Sequence, residues 1–190
     1  MAVKDGLLAI LSLGPGYGLA LRDEIVSRAP HRTDLNVGQV YSTLDRLVRA
    51  GLVATGTLTD DNLPLYTLTA DGSSTVQRWL DLPVSPDPRS WSDMMDQVLI
   101  GSSLPGVDWA GLLDRHDVAW RAALASSASS ADLSQRERLT FSATRHWASA
   151  ALQWIDETRA DFTAADPATP LRGIRPQRGR RPTAAAAPRP

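Results

Sequence analysis

The sequence predicts a mainly α-helical protein carrying one small β-hairpin and divided into two units. Three observations support this. Apolar residues recur at three or four positions over most of the chain. Only LVATGTL at 52–58 and LYTLT at 65–69 read as short β-type runs. The segment LPVSPDPRS at 82–90 places three prolines within six residues between two patterned regions. With 190 residues, 43% of them hydrophobic, the chain is long enough to bury a core.

In the first unit, residues 1–82, LLAIL at 7–11 leads through LGPGYG into YGLALRDEIVSRA at 17–29, where Leu19, Leu21, Ile25 and Val26 gather on one face of a second helix. A third helix follows from residue 37. The two β-type runs are joined by TDDNLP, whose Asp, Asn and Pro form turns, and pair as a hairpin. Thr69 then precedes ADGSSTVQRWL, in which Val76, Trp79 and Leu80 make a short helical stripe.

After a linker at 83–89, residues 90–162 hold three helix candidates, 90–102, 107–126 and 133–162, and no strand signal. The last is apolar on two sides: Leu139, Ala143, Trp147, Ala150, Trp154, Thr158 and Phe162 form one stripe, and Phe141, Ala148, Leu152 and Ile155 another. Such a helix needs two neighbours. Residues 163–190 mix Pro, Ala, Gly and Arg without periodicity and read as a disordered tail.

Charge divides along the chain. Residues 1–82 hold seven Arg/Lys and nine Asp/Glu, residues 83–162 seven and eleven, and residues 163–190 six and one, so basic charge sits in the tail. The absence of cysteine excludes disulfides, thiolate catalysis and cysteine-based zinc sites. His31, His116 and His146 are too scattered to form a ligand cluster, and neither a metal nor a cofactor is expected. The opening MAVKDGLLAILSLGPG lacks a basic leader, and no run reaches the apolar length of a membrane span, so a cytoplasmic location is expected.

The most informative stretch is NVGQVYSTLDRLVRAGLV at 36–53. At about 100° per residue, Val40, Tyr41, Leu44, Leu47 and Val48 share an arc of roughly 120°, while Gln39, Ser42, Thr43, Arg46 and Arg49 lie opposite. An amide, two hydroxyls and two guanidiniums on one exposed face suit base edges and phosphates in a DNA major groove. Gly51 would end the helix in the left-handed conformation. Helix, turn, helix, this helix and then a hairpin is the order of a winged helix-turn-helix, in which the hairpin, here with Asn62 at its turn, reaches the flanking backbone.

The chain also resembles the PadR-type (phenolic acid repressor-like) transcriptional regulators. The resemblance is carried by LLAILSLGPGYGLAL at 7–21, VGQVYSTLDRLVRAGLV at 37–53 and LYTLTADG at 65–72, and covers residues 7–82. It implies that Gln39, Tyr41, Ser42, Thr43 and Arg46 are recognition-helix positions, with Tyr17 and Tyr41 facing the DNA backbone. It further implies a helical second domain that dimerises, hence a homodimeric repressor binding double-stranded operator DNA and released by a small, often aromatic, ligand. The family's wing carries a basic residue before the second-strand tyrosine. Here Asp60 and Asp61 stand in that place, so DNA binding is expected to be modest or assisted by the Arg-rich tail.

Other readings carry less. GPGYG could be a phosphate-binding turn with Asp34 as a ribose ligand, but the third glycine of that pattern is replaced by Leu19 and no parallel strand–helix alternation follows. The pairs Asp93/Asp96 and Asp114/Asp117 read as solvated helix faces, not as acid–base dyads, so no enzyme is expected. Five of the six tryptophans lie beyond residue 90, and Trp147 and Trp154, two turns apart, could wall an aromatic effector pocket. The alternative of a different class is a winged-helix protein-interaction module, its acidic wing facing a basic partner.

Overall fold

The computed structural model describes residues 2–59, 62–126, 134–162 and 169–172. Its elements are α1 (Ala2–Leu11), α2 (Gly18–Arg28), a 3-10 turn (Pro30–Arg32), α3 (Val37–Arg49), β1 (Val53–Leu58), β2 (Pro64–Leu68), α4 (Ala70–Asp81), a second 3-10 turn (Pro88–Ser90), α5 (Trp91–Ser102), α6 (Trp109–Ser126) and α7 (Gln135–Asp161). The fold is mainly helical with one two-stranded antiparallel sheet, as the sequence predicts.

A helix that is apolar all round must be enclosed. Leu7, Leu8, Ala9 and Ile10 of α1 are fully buried, because α2, α3, α4 and α5 pack around it. This first core also takes Ile25, Leu44, Leu47, Val53, Val76 and, from α5, Ile100. The second core joins Met94 and Val98 of α5 to Leu113 and Trp120 of α6 and to Ala148, Ala151 and Ile155 of α7. The proline-rich segment thus divides the sequence, while α5 contributes to both cores.

Two polar clusters fix α5. Asp96, expected on a solvated face, is instead 1% exposed. Its carboxylate accepts from Arg32 Nε at 3.1 Å and Nη2 at 2.8 Å and lies 2.9 Å from His31 Nε2, because α5 passes over the 3-10 turn that precedes α3. Asp114 and Asp117 do sit near the surface, paired with Arg159 and Arg121. In the second cluster, Gln97 Nε2 donates to the carbonyls of Trp79 and Leu82, so its Oε1 must accept, and His116 Nε2 donates to it at 2.7 Å. That assigns the proton to Nε2 and leaves a bare, buried Nδ1.

Burial, and secondarily Arg115, hold the His116 pKa down to about 4. The folded protein therefore resists a proton that the unfolded chain accepts near 6.5. The stabilisation is complete above the unfolded value and is lost as pH falls toward 4, amounting to about 3 kcal/mol. Urea unfolding at pH 7, 5.5 and 4 should show this loss, and His116→Gln should remove the part of the pH dependence that lies in this window. An identical pH profile for the variant would show that His116 does not carry it.

Among the described residues no helix is long and apolar enough to cross a membrane, and no group of three or more His, Asp or Glu is placed to hold a metal ion.

Candidate nucleic-acid interface

Both ends of α3 are tied off by the sequence itself. At its start Asn36 Oδ1 accepts from Gln39 N at 2.8 Å while Gln39 Oε1 accepts from Asn36 N at 3.4 Å, a complete capping box. At its end Gly51, with φ of +71°, lets Gly51 N reach Val48 O and Leu52 N reach Leu47 O, both at 3.0 Å. These two bonds form a Schellman motif, the left-handed cap expected of this glycine.

Between the caps, Val40, Leu44 and Leu47 are buried and Gln39, Ser42, Asp45, Arg46 and Arg49 are exposed. Arg46 lies back along its helix, donating through Nε to Ser42 O at 3.2 Å and through Nη2 to Thr43 Oγ1 at 3.1 Å. Thr43 departs from the predicted face: it is 7% exposed, since α1 closes over that edge, and its hydroxyl supports Arg46. Asp45, which the polar face read from the sequence leaves out, stands on the same exposed stripe, seven residues from Gly38.

Tyr17 also differs from expectation. Gly16 and Tyr66 exchange backbone hydrogen bonds, Gly16 N to Tyr66 O at 3.1 Å and Tyr66 N to Gly16 O at 2.9 Å. This bridge draws Tyr17 inward to 5% exposure, so it does not face solvent. Tyr41 is half-buried with its ring against Gly18, where a Cβ would stand 2.6 Å from Tyr41 Cζ. Burial, then Asp45 and Tyr41, push the Tyr66 phenol above its ordinary pKa.

The wing pairs Val53 with Leu68, Ala54 with Thr67 and Thr55 with Tyr66, then shifts register before Leu58 meets Pro64. Asn62 is exposed at the turn with φ of +59°, a conformation Asn tolerates, and its N–H donates to Thr59 O. Asp60 and Asp61 lie outside the described residues. Thr69 fastens the wing to the reading helix, donating to Gly51 O at 2.8 Å and capping α4 by accepting from Gly72 N at 3.1 Å. Gln39, Ser42 and Arg46 front a groove of about 740 Å³ whose other walls carry Lys4, Arg89 and Asp93.

Trp147 and Trp154 do lie near one another, but Trp91 occupies the space between them, its ring centroid 5.8 Å from one and 5.6 Å from the other. The three form a packed cluster in place of the open slot the sequence suggested.

A capped helix presenting polar and cationic side chains, set behind a tight helical turn and braced by a hairpin, defines a winged helix-turn-helix unit. Residues 7–78 match the model of the Transcriptional regulator PadR-like family, which bears out the resemblance read from the motifs at 7–21, 37–53 and 65–72. Similar solved structures include Bacillus subtilis PadR in complex with operator DNA, at 19% identity and a TM-score of 0.42, covering 85% of this chain and 99% of that one. The same Bacillus subtilis protein in complex with p-coumaric acid matches at 19% identity and a TM-score of 0.40, covering 85% of this chain and 98% of that one. Comparison with curated proteins returns no match.

Proposed function

We propose that the protein is a sequence-specific DNA-binding transcriptional regulator, a repressor that binds an inverted-repeat operator as a homodimer. The observation that carries this reading is the exposed face of α3, where Gln39, Ser42, Asp45, Arg46 and Arg49 stand clear of the core on a helix capped at both ends. Gln39 would read a base edge, Asp45 adds an acceptor suited to a cytosine amino group, and Arg46 meets phosphate. Thr43 acts by positioning Arg46, and Tyr41 by setting the crossing of α2 and α3. Asn62 would meet the flanking backbone from the wing.

Support for the homodimer comes from α7, where Leu139, Phe141 and Trp147 are 64%, 38% and 41% exposed. A second copy related by a two-fold axis would cover them and set two reading helices about one DNA turn apart. A small aromatic effector belongs to the reading through the family resemblance. Its place would be at the Trp91, Trp147 and Trp154 cluster, where Trp147 is 41% exposed.

The experiment is a gel-shift titration of the DNA upstream of the protein's own gene against a random duplex competitor, with the complex weighed by native mass spectrometry. Retention that survives the competitor, with two chains per duplex, supports the reading. A folded protein retained equally by any duplex, or by none, overturns it in favour of a protein-interaction module.

A further inference from the structure

The chain enters α3 through the connection 29–36, and two helices hold that connection in place. From α2, Arg22 donates through Nε to Leu35 O at 3.0 Å and through Nη2 to Thr33 O at 3.4 Å. From α5, the buried carboxylate of Asp96 takes the Arg32 guanidinium in a fork, Nε to Oδ1 at 3.1 Å and Nη2 to Oδ2 at 2.8 Å, with His31 Nε2 2.9 Å from Oδ1. Asp93 stands 3.7 Å from Arg32 Nη2 and adds charge without the fork. Leu35 N donates to Arg32 O at 3.0 Å, and Leu35 directly precedes Asn36, whose capping box binds Gln39. A short run of fixed bonds thus joins Asp96 to the first turn of α3.

α5 is a firm support for this bond. Its Ile100 is buried in the first core and its Met94 and Val98 in the second. At its end Arg28 donates to Ser103 O at 3.2 Å and Ser103 Oγ at 2.7 Å, and Arg28 is itself paired with Glu24, the two side chains being 3% and 2% exposed. Residues 169–172, part of the stretch expected to be a disordered tail, close over that pair; the rest of that stretch lies outside the described residues. There Arg28 Nη2 donates to Thr169 O at 2.7 Å and Glu24 Oε1 accepts from the Arg172 amide at 3.0 Å. Sliding α5 along α2 would strip a buried guanidinium of partners, which is costly, so Asp96 keeps a fixed place relative to the winged-helix unit.

We propose that Asp96 is a positioning residue for DNA reading: through Arg32 it seats the start of α3, so that the sequence preference of the winged helix depends on a helix of the second unit. The inference rests on the DNA-binding reading above.

The physical reason is a difference in tolerance. A planar guanidinium held at two points by a carboxylate fixes both distance and orientation, which a single charge contact does not. Base edges are read by hydrogen bonds that weaken steeply when donor and acceptor are misplaced, and Gln39 stands on the turn that Asp96 seats. Phosphate contacts carry no sequence information and survive small shifts of the helix. Loosening the seat therefore lowers discrimination before it lowers general attraction to DNA.

The test measures fluorescence anisotropy on the upstream duplex and on a random one, with the thermal midpoint of each protein taken alongside. It compares the full chain with Asp96→Asn, Arg32→Gln, the double variant, and Asp117→Asn, whose carboxylate pairs with Arg121 at the surface of α6. Asp96→Asn should lower the ratio of the two affinities about three- to tenfold and lower the midpoint, because it leaves Arg32 without its partner. The double variant leaves no unpaired charge, so its midpoint should return toward that of the unaltered chain while its ratio stays as low as in Asp96→Asn, the mark of two residues acting as one unit. Asp117→Asn should leave the ratio unchanged.

A ratio unmoved in Asp96→Asn, whatever its midpoint, overturns the proposal and makes the bond a stabilising one only. So does a ratio that recovers with the midpoint in the double variant, or losses that add there, which would give Asp96 a route other than Arg32. Should Asp96→Asn fold poorly, the double variant, free of an unpaired charge, decides the question. A ratio near one in the unaltered chain overturns the DNA-reading function instead. In that case hydrogen exchange at the amides of 35–40, expected to be faster in Asp96→Asn, still tests the seat, and equal exchange overturns it.

Discussion

Gly72→Ala should lower the thermal midpoint by roughly 6–12 °C, corresponding to a loss of ~3 kcal/mol in a chain of this length. The reason is a backbone contact. A Cβ at Gly72 would stand 2.1 Å from Leu52 O and 2.6 Å from Leu68 Cδ1. Leu52 O is held in place because it accepts from Thr69 N at 3.1 Å at the seam between the wing and α4. No rotamer relieves a clash between two fixed main-chain segments, so α4 must retreat from the hairpin.

Gly111 is the control: there the same 2.1 Å separation is to Asp108 Oδ2, the end of a side chain that can turn away. Gly111→Ala should cost no more than about 1 kcal/mol, the value of the Asp108 hydrogen bond to Gly111 N. Differential scanning calorimetry of the two variants checks the contrast, and equal small shifts would show that the seam is looser than its geometry. Operator affinity should fall with Gly72→Ala and stay level with Gly111→Ala, since only the first displaces the wing.

The seam also shows where sequence reading succeeds. Thr69, Gly72 and the hairpin are local features, marked by turn residues and a capping threonine a few positions apart. The same holds for α3, whose apolar period, leading Asn36 and closing Gly51 lie within sixteen residues of each other. Contacts set by long-range packing were not legible. Tyr17 is buried by a bridge between Gly16 and Tyr66, fifty residues apart, that no local pattern announces.

Asp96 reads as one of a surface pair until α5 is laid over Arg32 and His31, and Trp91 reads as one tryptophan among five until it closes the gap between Trp147 and Trp154. Thr43 lies at the edge of its helical face, where a rotation of one residue's width decides between solvent and core. The helical wheel gives the faces, and the neighbours decide the borders.

Gln39 and Arg46 should fail in different ways when replaced. Gln39 has two duties, because its amide oxygen closes the capping box on Asn36 while the side chain stands on the exposed face. Glutamate closes the same box but lacks the amide N–H₂ that pairs with a base edge. Gln39→Glu should therefore keep the melting temperature within about 2 °C, whereas Gln39→Ala loses about 1 kcal/mol of capping as well. In both variants the operator-to-random affinity ratio should fall about tenfold, the value of one bidentate base contact.

Arg46→Ala removes a cation held by Ser42 and Thr43 and touches no cap. It should weaken operator and random duplex alike, leave their ratio intact, and flatten the salt slope by about 0.9. The ratio is the deciding quantity, since Gln39→Glu also adds a negative charge that weakens all DNA. A ratio that falls equally for Arg46→Ala and Gln39→Ala would mean that the guanidinium reads bases too. A ratio unmoved by either would transfer base reading to Ser42, Asp45 or Arg49, the other three polar side chains on the stripe.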